Sequence, residues 1–167
     1  MKPHQRKIWW ATLLYVSIIK FSFGLEANLY GNLVVTPPEC LLNNNQQELV
    51  HFGNILLTRV DGHNYKRNIP FDLTCSSLEK NTLKLTLQGD ETSFNSNGAL
   101  KILENQKLGI AFYINNVRQA INKPVYFNYD DDFPTIDAAP VKNNNADFSD
   151  VDGGYFTAFA TLKVDYQ

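Results

Sequence analysis

Few residues in this chain are of a type that does chemistry. Two cysteines, Cys40 and Cys75, enclose His51 and His63. Two thiols can form a bridge or, with further ligands, hold zinc. The histidines do not stand at ligand spacing from the thiols, so a bridge is expected wherever the compartment is oxidising. Asp130-Asp131-Asp132 and Asp150-Val151-Asp152-Gly153 suggest calcium by charge alone. Neither has the full loop spacing or a closing glutamate, so both read as solvated loops. No metal or other cofactor is expected. Serine, histidine and aspartate all occur, but no nucleophile elbow and no metal-ligand motif. No catalytic residue is assigned, and an enzyme is not expected.

The fate of the thiols depends on where the chain goes. Lys2, Arg6 and Lys7 precede an apolar stretch from Ile8 to Ile19. That stretch has signal-peptide length, and Lys20 ends it short of the about 20 residues a spanning helix needs. Ser22-Phe23-Gly24 puts small residues at both cleavage-determining positions. Residues 1–24 are therefore expected to be a signal peptide cut after Gly24, with a cut after Ala27 as the alternative. Export makes a Cys40–Cys75 disulfide the default. Closing a loop of this length is worth roughly 3.5–4 kcal/mol on the chain-entropy account. Losing residues 1–24 lowers Lys+Arg from 15 to 11 against 17 Asp+Glu, so the charge moves from −2 to −6. No basic cluster remains to neutralise phosphates, which argues against nucleic acid as a partner.

The elements that would position these residues are strands. At 167 residues the chain has room for one domain and short extensions. Leu83, Leu85 and Leu87 alternate with Lys84 and Thr86, the pattern of a half-buried strand. Ile110, Phe112 and Ile114 alternate again, before a turn at Asn115-Asn116. Leu49–Leu57 is a strand candidate interrupted by Gly53. Ile69–Cys75 and the stretch around Val125 and Phe127 read as shorter strands. Asp61-Gly62 and Asn97-Gly98 are turn signals. Residues 130–153, rich in Asp, Asn and Pro, read as loop. No useful helical period follows residue 24. Short strands at this spacing point to an all-β sandwich of the immunoglobulin type.

The two ends of the exported part carry the sharpest patterns. After Gly154 come Phe156, Ala158, Ala160, Leu162, Val164 and Tyr166 on one face. Tyr155, Thr157, Phe159, Thr161, Lys163 and Asp165 lie on the other. The pattern predicts one long amphipathic strand reaching almost the last residue, where chain ends normally fray. At the other end Leu25, Ala27, Leu29, Gly31, Leu33 and Val35 alternate with more polar neighbours. Pro37-Pro38 then blocks further ladder pairing. A first strand of the sandwich would gain by filling the position that Gly31 leaves empty.

With these stretches in order, the chain resembles the pilin subunits of chaperone–usher fimbriae, particularly minor or adaptor-like subunits of P-type and type 1-like fimbriae. The resemblance rests on Leu29-Tyr30-Gly31-Asn32-Leu33-Val34-Val35 before Cys40 and on Val50-His51-Phe52-Gly53 after it. It continues through Ile69-Pro70-Phe71-Asp72-Leu73-Thr74-Cys75 and Leu108-Gly109-Ile110-Ala111-Phe112. It ends on Gly154 to Tyr166, with glycine fourteenth from the end and an aromatic residue penultimate. It implies an immunoglobulin-like sandwich that lacks its last strand and is completed by a strand donated from another protein. Residues 1–24 would be the signal peptide, 25–38 a donor-strand extension and 39–167 the pilin domain.

On that resemblance Leu25, Ala27, Leu29, Gly31, Leu33 and Val35 form the donor face. Gly154, Phe156, Ala158, Ala160, Leu162, Val164 and Tyr166 line the acceptor groove and the chaperone-binding strand. The implied partners are a periplasmic pilus chaperone, an outer-membrane usher and neighbouring pilin subunits. The chain would pass through the periplasm to the cell surface and contribute to cell adhesion within the fimbrium. A host glycan or receptor would be met only indirectly. The 13% aromatic content and the acidic loop depart from a small-residue major pilin and point to a minor, tip or adaptor position. The alternative is a single-domain carbohydrate- or receptor-binding tip module, with Tyr126, Tyr129 and Phe133 stacking on a sugar.

Overall fold

A computed structural model describes residues 30–34, 38–94, 96–149 and 153–166. The chain divides into two units, residues 1–34 and 35–167. Only residues 30–34 of the first unit are described, and all are exposed. The expected signal peptide, its cleavage site, and the donor positions Leu25, Ala27, Leu29 and Val35 lie outside the described residues.

The second unit is built from short antiparallel strands in three groups. β1 (Glu39–Leu42) pairs with β3 (Leu73–Ser76), and Cys40 faces Cys75 across the pair. The two thiols form the disulfide expected from the sequence. β10 (Thr161–Tyr166), β4 (Thr82–Gln88) and β8 (Pro124–Asn128) form a three-stranded sheet in that order. The third sheet runs β2 (Arg67–Asn68), β9 (Ile136–Lys142), β6 (Leu108–Ile114), β5 (Leu100–Lys101), with β7 (Val117–Gln119) folded back on β6.

Burial explains why the alternating stretches became strands. A strand sends successive side chains to opposite faces, and Leu83, Leu85 and Leu87 of β4 are all buried. Leu85 and Leu87 meet Ile110, Phe112 and Ile114 of β6 in one apolar cluster, with Leu100, Ile102 and Ile136. β6 is buried on both faces. Its other face places Ala111 and Tyr113 against Ala139 and Val141, and the Tyr113 hydroxyl donates to the Gly62 carbonyl at 2.5 Å. The expected turns are present: Gly62, Asn97, Gly98, Asn115 and Asn116 all have positive φ, the conformation in which glycine and asparagine are least penalised.

Four expectations need correction. Residues 49–56 form no strand, and only a short 3₁₀ turn follows at Leu57–Arg59. Of Ile69–Cys75, only the last three residues are in β3. Residues 130–153 are not all loop, because they contain β9. Pro140 argues against a central strand, since it lacks the N–H a ladder needs. Here its carbonyl accepts from the Gly62 N–H at 3.0 Å, on the side away from β6. The nitrogen of a strand residue points the same way as its carbonyl, so the proline removes no rung toward β6, and β2 pairs only with Ala138 and Asp137. Finally, the C-terminal strand is six residues long and begins at Thr161 rather than at Gly154.

Candidate functional site: an unpaired edge beside a half-covered core

β10 pairs with β4 along one side only. Leu162 lies opposite Leu87, Val164 opposite Leu85 and Tyr166 opposite Leu83. Among the described residues no strand pairs with its other side. The leucines of β4 are buried, whereas Leu162 and Val164 are half-buried and Tyr166 is 50% exposed. These pairs share one face of one sheet, so the difference reflects that, among the described residues, no strand lies beyond β10. The opposite face is polar. Asp165 takes Lys163 at 2.7 Å and Lys84 at 3.3 Å, and the Lys163 contact, with help from Lys84, holds its carboxyl below the ordinary range.

The alternation continues upstream of β10 without a ladder. Phe156 and Ala158 are half-buried and pack on the main core, while Tyr155, Thr157 and Phe159 are exposed. Gly154 and Ala160 are exposed as well. Thr157 is held by a loop in place of a strand. Its N–H donates to Glu104 Oε2 at 2.7 Å, its hydroxyl to Glu104 Oε1 at 2.5 Å, and its carbonyl accepts from the Leu103 N–H at 3.1 Å. Those two donors hold the Glu104 carboxyl below its ordinary value.

A second unladdered segment faces this one. Among the described residues the backbone of 47–55 has no hydrogen-bond partner. Phe52, Ile55 and Leu57 are nevertheless packed on the core, only partly covered. The Phe52 and Phe156 rings lie 6.0 Å apart. Two stretches of chain thus border the same incompletely covered apolar surface. Sequence reasoning missed this second border. Its alternation was visible but read as an ordinary strand broken at Gly53, which has a φ of 69°.

The structure separates the other candidate residues. Gly31 and Leu33 are exposed in the first unit. Tyr126, Tyr129 and Phe133 do not make one sugar-stacking platform. The Tyr129 hydroxyl accepts from the Cys75 N–H at 3.1 Å. Phe133 packs against Phe71, Phe127 and Tyr129 at 6.0, 6.2 and 5.7 Å. Of the three only Tyr126 is more than half exposed. Asp130 is bound by the Asn81 side-chain amide. Among the described residues no group of three or more His, Cys, Asp or Glu side chains is placed to hold a metal.

The family described as "Fimbrial protein" matches residues 27–167. The chain belongs to that family. The pilin is 30% identical to the fimbrial-like protein YfcQ of Escherichia coli (strain K12), over 97% of this chain and 99% of that protein. It is also 30% identical to the fimbrial-like protein YfcR of the same strain, over 81% of this chain and 77% of that one. Among solved structures it is similar in fold to the P pilus rod subunit PapA, with a TM-score of 0.62 at 18% identity, covering 77% of this pilin and 99% of that chain. The P pilus adaptor subunit PapF gives a TM-score of 0.55 at 21% identity, covering 77% and 95%. The sandwich is therefore the immunoglobulin-like fold of pilus subunits, and the chain is a structural pilin of a chaperone–usher pilus at the cell surface.

Proposed function

We propose that this pilin is assembled by donor-strand exchange, as an acceptor through the β10 edge and as a donor through residues 25–35. The observation that carries the reading is β10 itself, unpaired on one side among the described residues, with its apolar face only half covered. An exposed edge of this kind invites pairing with another chain. In transit through the periplasm a chaperone strand would cover it, and at an outer-membrane usher the next subunit's extension would replace that strand. Phe156, Ala158, Leu162, Val164 and Tyr166 form one wall of the acceptor groove, with Gly154 and Ala160 on the same register. Phe52, Ile55 and Leu57 form the other wall.

On the donor side, Leu25, Ala27, Leu29, Leu33 and Val35 fill pockets in a neighbour, and Gly31 sits where no side chain fits. Burying the four larger of these, Leu25, Leu29, Leu33 and Val35, at about 1.5–3 kcal/mol each gives roughly 6–12 kcal/mol before ordering costs. That is enough for a lasting non-covalent joint. This assignment keeps residues 1–24 as signal peptide, 25–38 as extension and 39–167 as the pilin domain. The 13% aromatic content and the acidic loop favour a minor or adaptor position, whose part in adhesion is to carry the fibre. A synthetic peptide of residues 25–36 tests the joint. The mature chain should bind it and unfold at higher urea, while a peptide with arginine at position 31 should do neither. Equal effects of the two peptides would refute the donor assignment.

A further inference from the structure

We infer that Glu104 is a positioning residue that extends the strand-accepting edge beyond β10, from Thr161 back to Phe156. The inference rests on the donor-strand reading of that edge. In an extended chain successive residues aim their N–H and C=O groups to opposite sides. Thr157 aims both of its groups at Leu103 and Glu104. Two residues on, the Phe159 carbonyl points to the same side, 3.3 Å from where a Cβ on Gly89 would stand. Ala158 and Ala160 must therefore aim their backbone groups the other way, toward the open edge. Among the described residues neither backbone has a partner.

β4 cannot impose this orientation, because it ends at Gln88. Continuing the register would set Thr157 against Thr92. The chain after Gly89 instead turns to the third sheet, with the Thr92 N–H on the Ala99 carbonyl at 3.0 Å and the Lys101 N–H on the Asp90 carbonyl at 2.7 Å. The Glu104 carboxylate and the Leu103 N–H stand in for the absent neighbour. A carboxylate accepts from both the N–H and the hydroxyl of one threonine, and charge strengthens both bonds. With the clamp closed, the edge runs over the eleven residues from Phe156 to Tyr166. The ligand it selects is an extended peptide of about that length. Residues 25–35 of a pilin extension number eleven too.

Hydrogen exchange on the mature chain, bound to a synthetic peptide of residues 25–36, separates the possibilities. In the wild-type complex the amides of Ala158, Ala160, Leu162 and Val164 should all become protected. In Glu104→Ala, protection of Leu162 and Val164 should persist, while that of Ala158 and Ala160 should fall at least tenfold. Peptide dissociation should quicken by a similar factor. Glu104→Gln, which keeps an acceptor oxygen, should recover part of both. Undiminished protection of Ala158 and Ala160 in Glu104→Ala would overturn the role of Glu104 and leave the groove standing. Absence of protection at Leu162 and Val164 in the wild-type complex would overturn the groove, and the inference with it.

Discussion

Tyr166→Ser should weaken donor-strand binding far more than an ordinary change at a chain end. Tyr166 closes the apolar face of β10 and is 50% exposed in the chain alone. A fully covered aromatic side chain buries about 150–250 Å², so an added strand has about 100 Å² of this ring left to cover. At about 25 cal/mol per Å² that coverage is worth about 2.5 kcal/mol, or roughly a 60-fold change in affinity. The half already buried contributes to the folded domain itself, so a single stability measurement would mix the two effects. The comparison therefore uses two forms, the mature chain and the same chain with residues 25–36 fused after Gln167. Urea unfolding of both forms, each with and without Tyr166→Ser, isolates the coupling. The fused form should lose about 2.5 kcal/mol more than the unfused one. Equal losses in the two forms would mean that no strand covers Tyr166, and the groove assignment would fail at that end.

Three further outcomes follow from the same geometry. Gly31→Arg should leave the unfolding midpoint of the chain unchanged, since a Cβ at Gly31 meets nothing within 4 Å, yet it should block incorporation into fibres; normal fibre assembly would count against the donor role. Replacing both Cys40 and Cys75 with serine should cost roughly 3–4 kcal/mol of stability, from the 35-residue separation they close, and unchanged urea unfolding would contradict it. The Glu104 carboxyl should titrate below its ordinary value of 4.5. Its bonds to Thr157 therefore stabilise the fold above the unfolded pKa and are lost as pH falls through the lower folded one. Carboxyl chemical shifts against pH check the direction, and a midpoint at or above 4.5 would refute it.

How much of this was legible in the sequence depended on whether pattern and ladder coincide. They coincide in β4, where one face is buried by leucines and strands lie on both sides, so alternation alone located it. They separate at the C-terminal segment. Its alternation runs from Phe156 to Tyr166, but the ladder begins only at Thr161, because Gly89 and Asp90 leave the sheet. The same separation hid the opposite border, where Phe52, Ile55 and Leu57 pack inward although the backbone of 47–55 is unladdered. β9 failed in the other direction. Its ladder is complete toward β6, but a buried alanine pair and Pro140 erase the apolar signature, and the proline is tolerated because its nitrogen points away from β6, as its carbonyl contact with Gly62 indicates. Nothing local to residues 103–104 in the sequence marks them as neighbours of Thr157, fifty-odd positions on, so the Glu104 contact was not readable at all.

The three-stranded sheet also shows why alternation cannot by itself tell a terminal core strand from an accepting edge. Both β8 and β10 are outer strands of this sheet, and both carry half-buried apolar residues, Val125 and Phe127 in one, Leu162 and Val164 in the other. Their surroundings differ. β8 starts at Pro124, which offers no N–H, and the Phe127 ring packs T-shaped with the Phe133 ring at 6.2 Å. Proline and covering side chains are the usual means of making an edge unreactive. β10 has neither. Its charges, Lys163 and Asp165, lie on the face turned away from the core and bind each other and Lys84, so they do not guard the groove. This contrast between the two outer strands, beside partly covered apolar side chains, supports the proposal that a donated strand is received at β10 and not at β8.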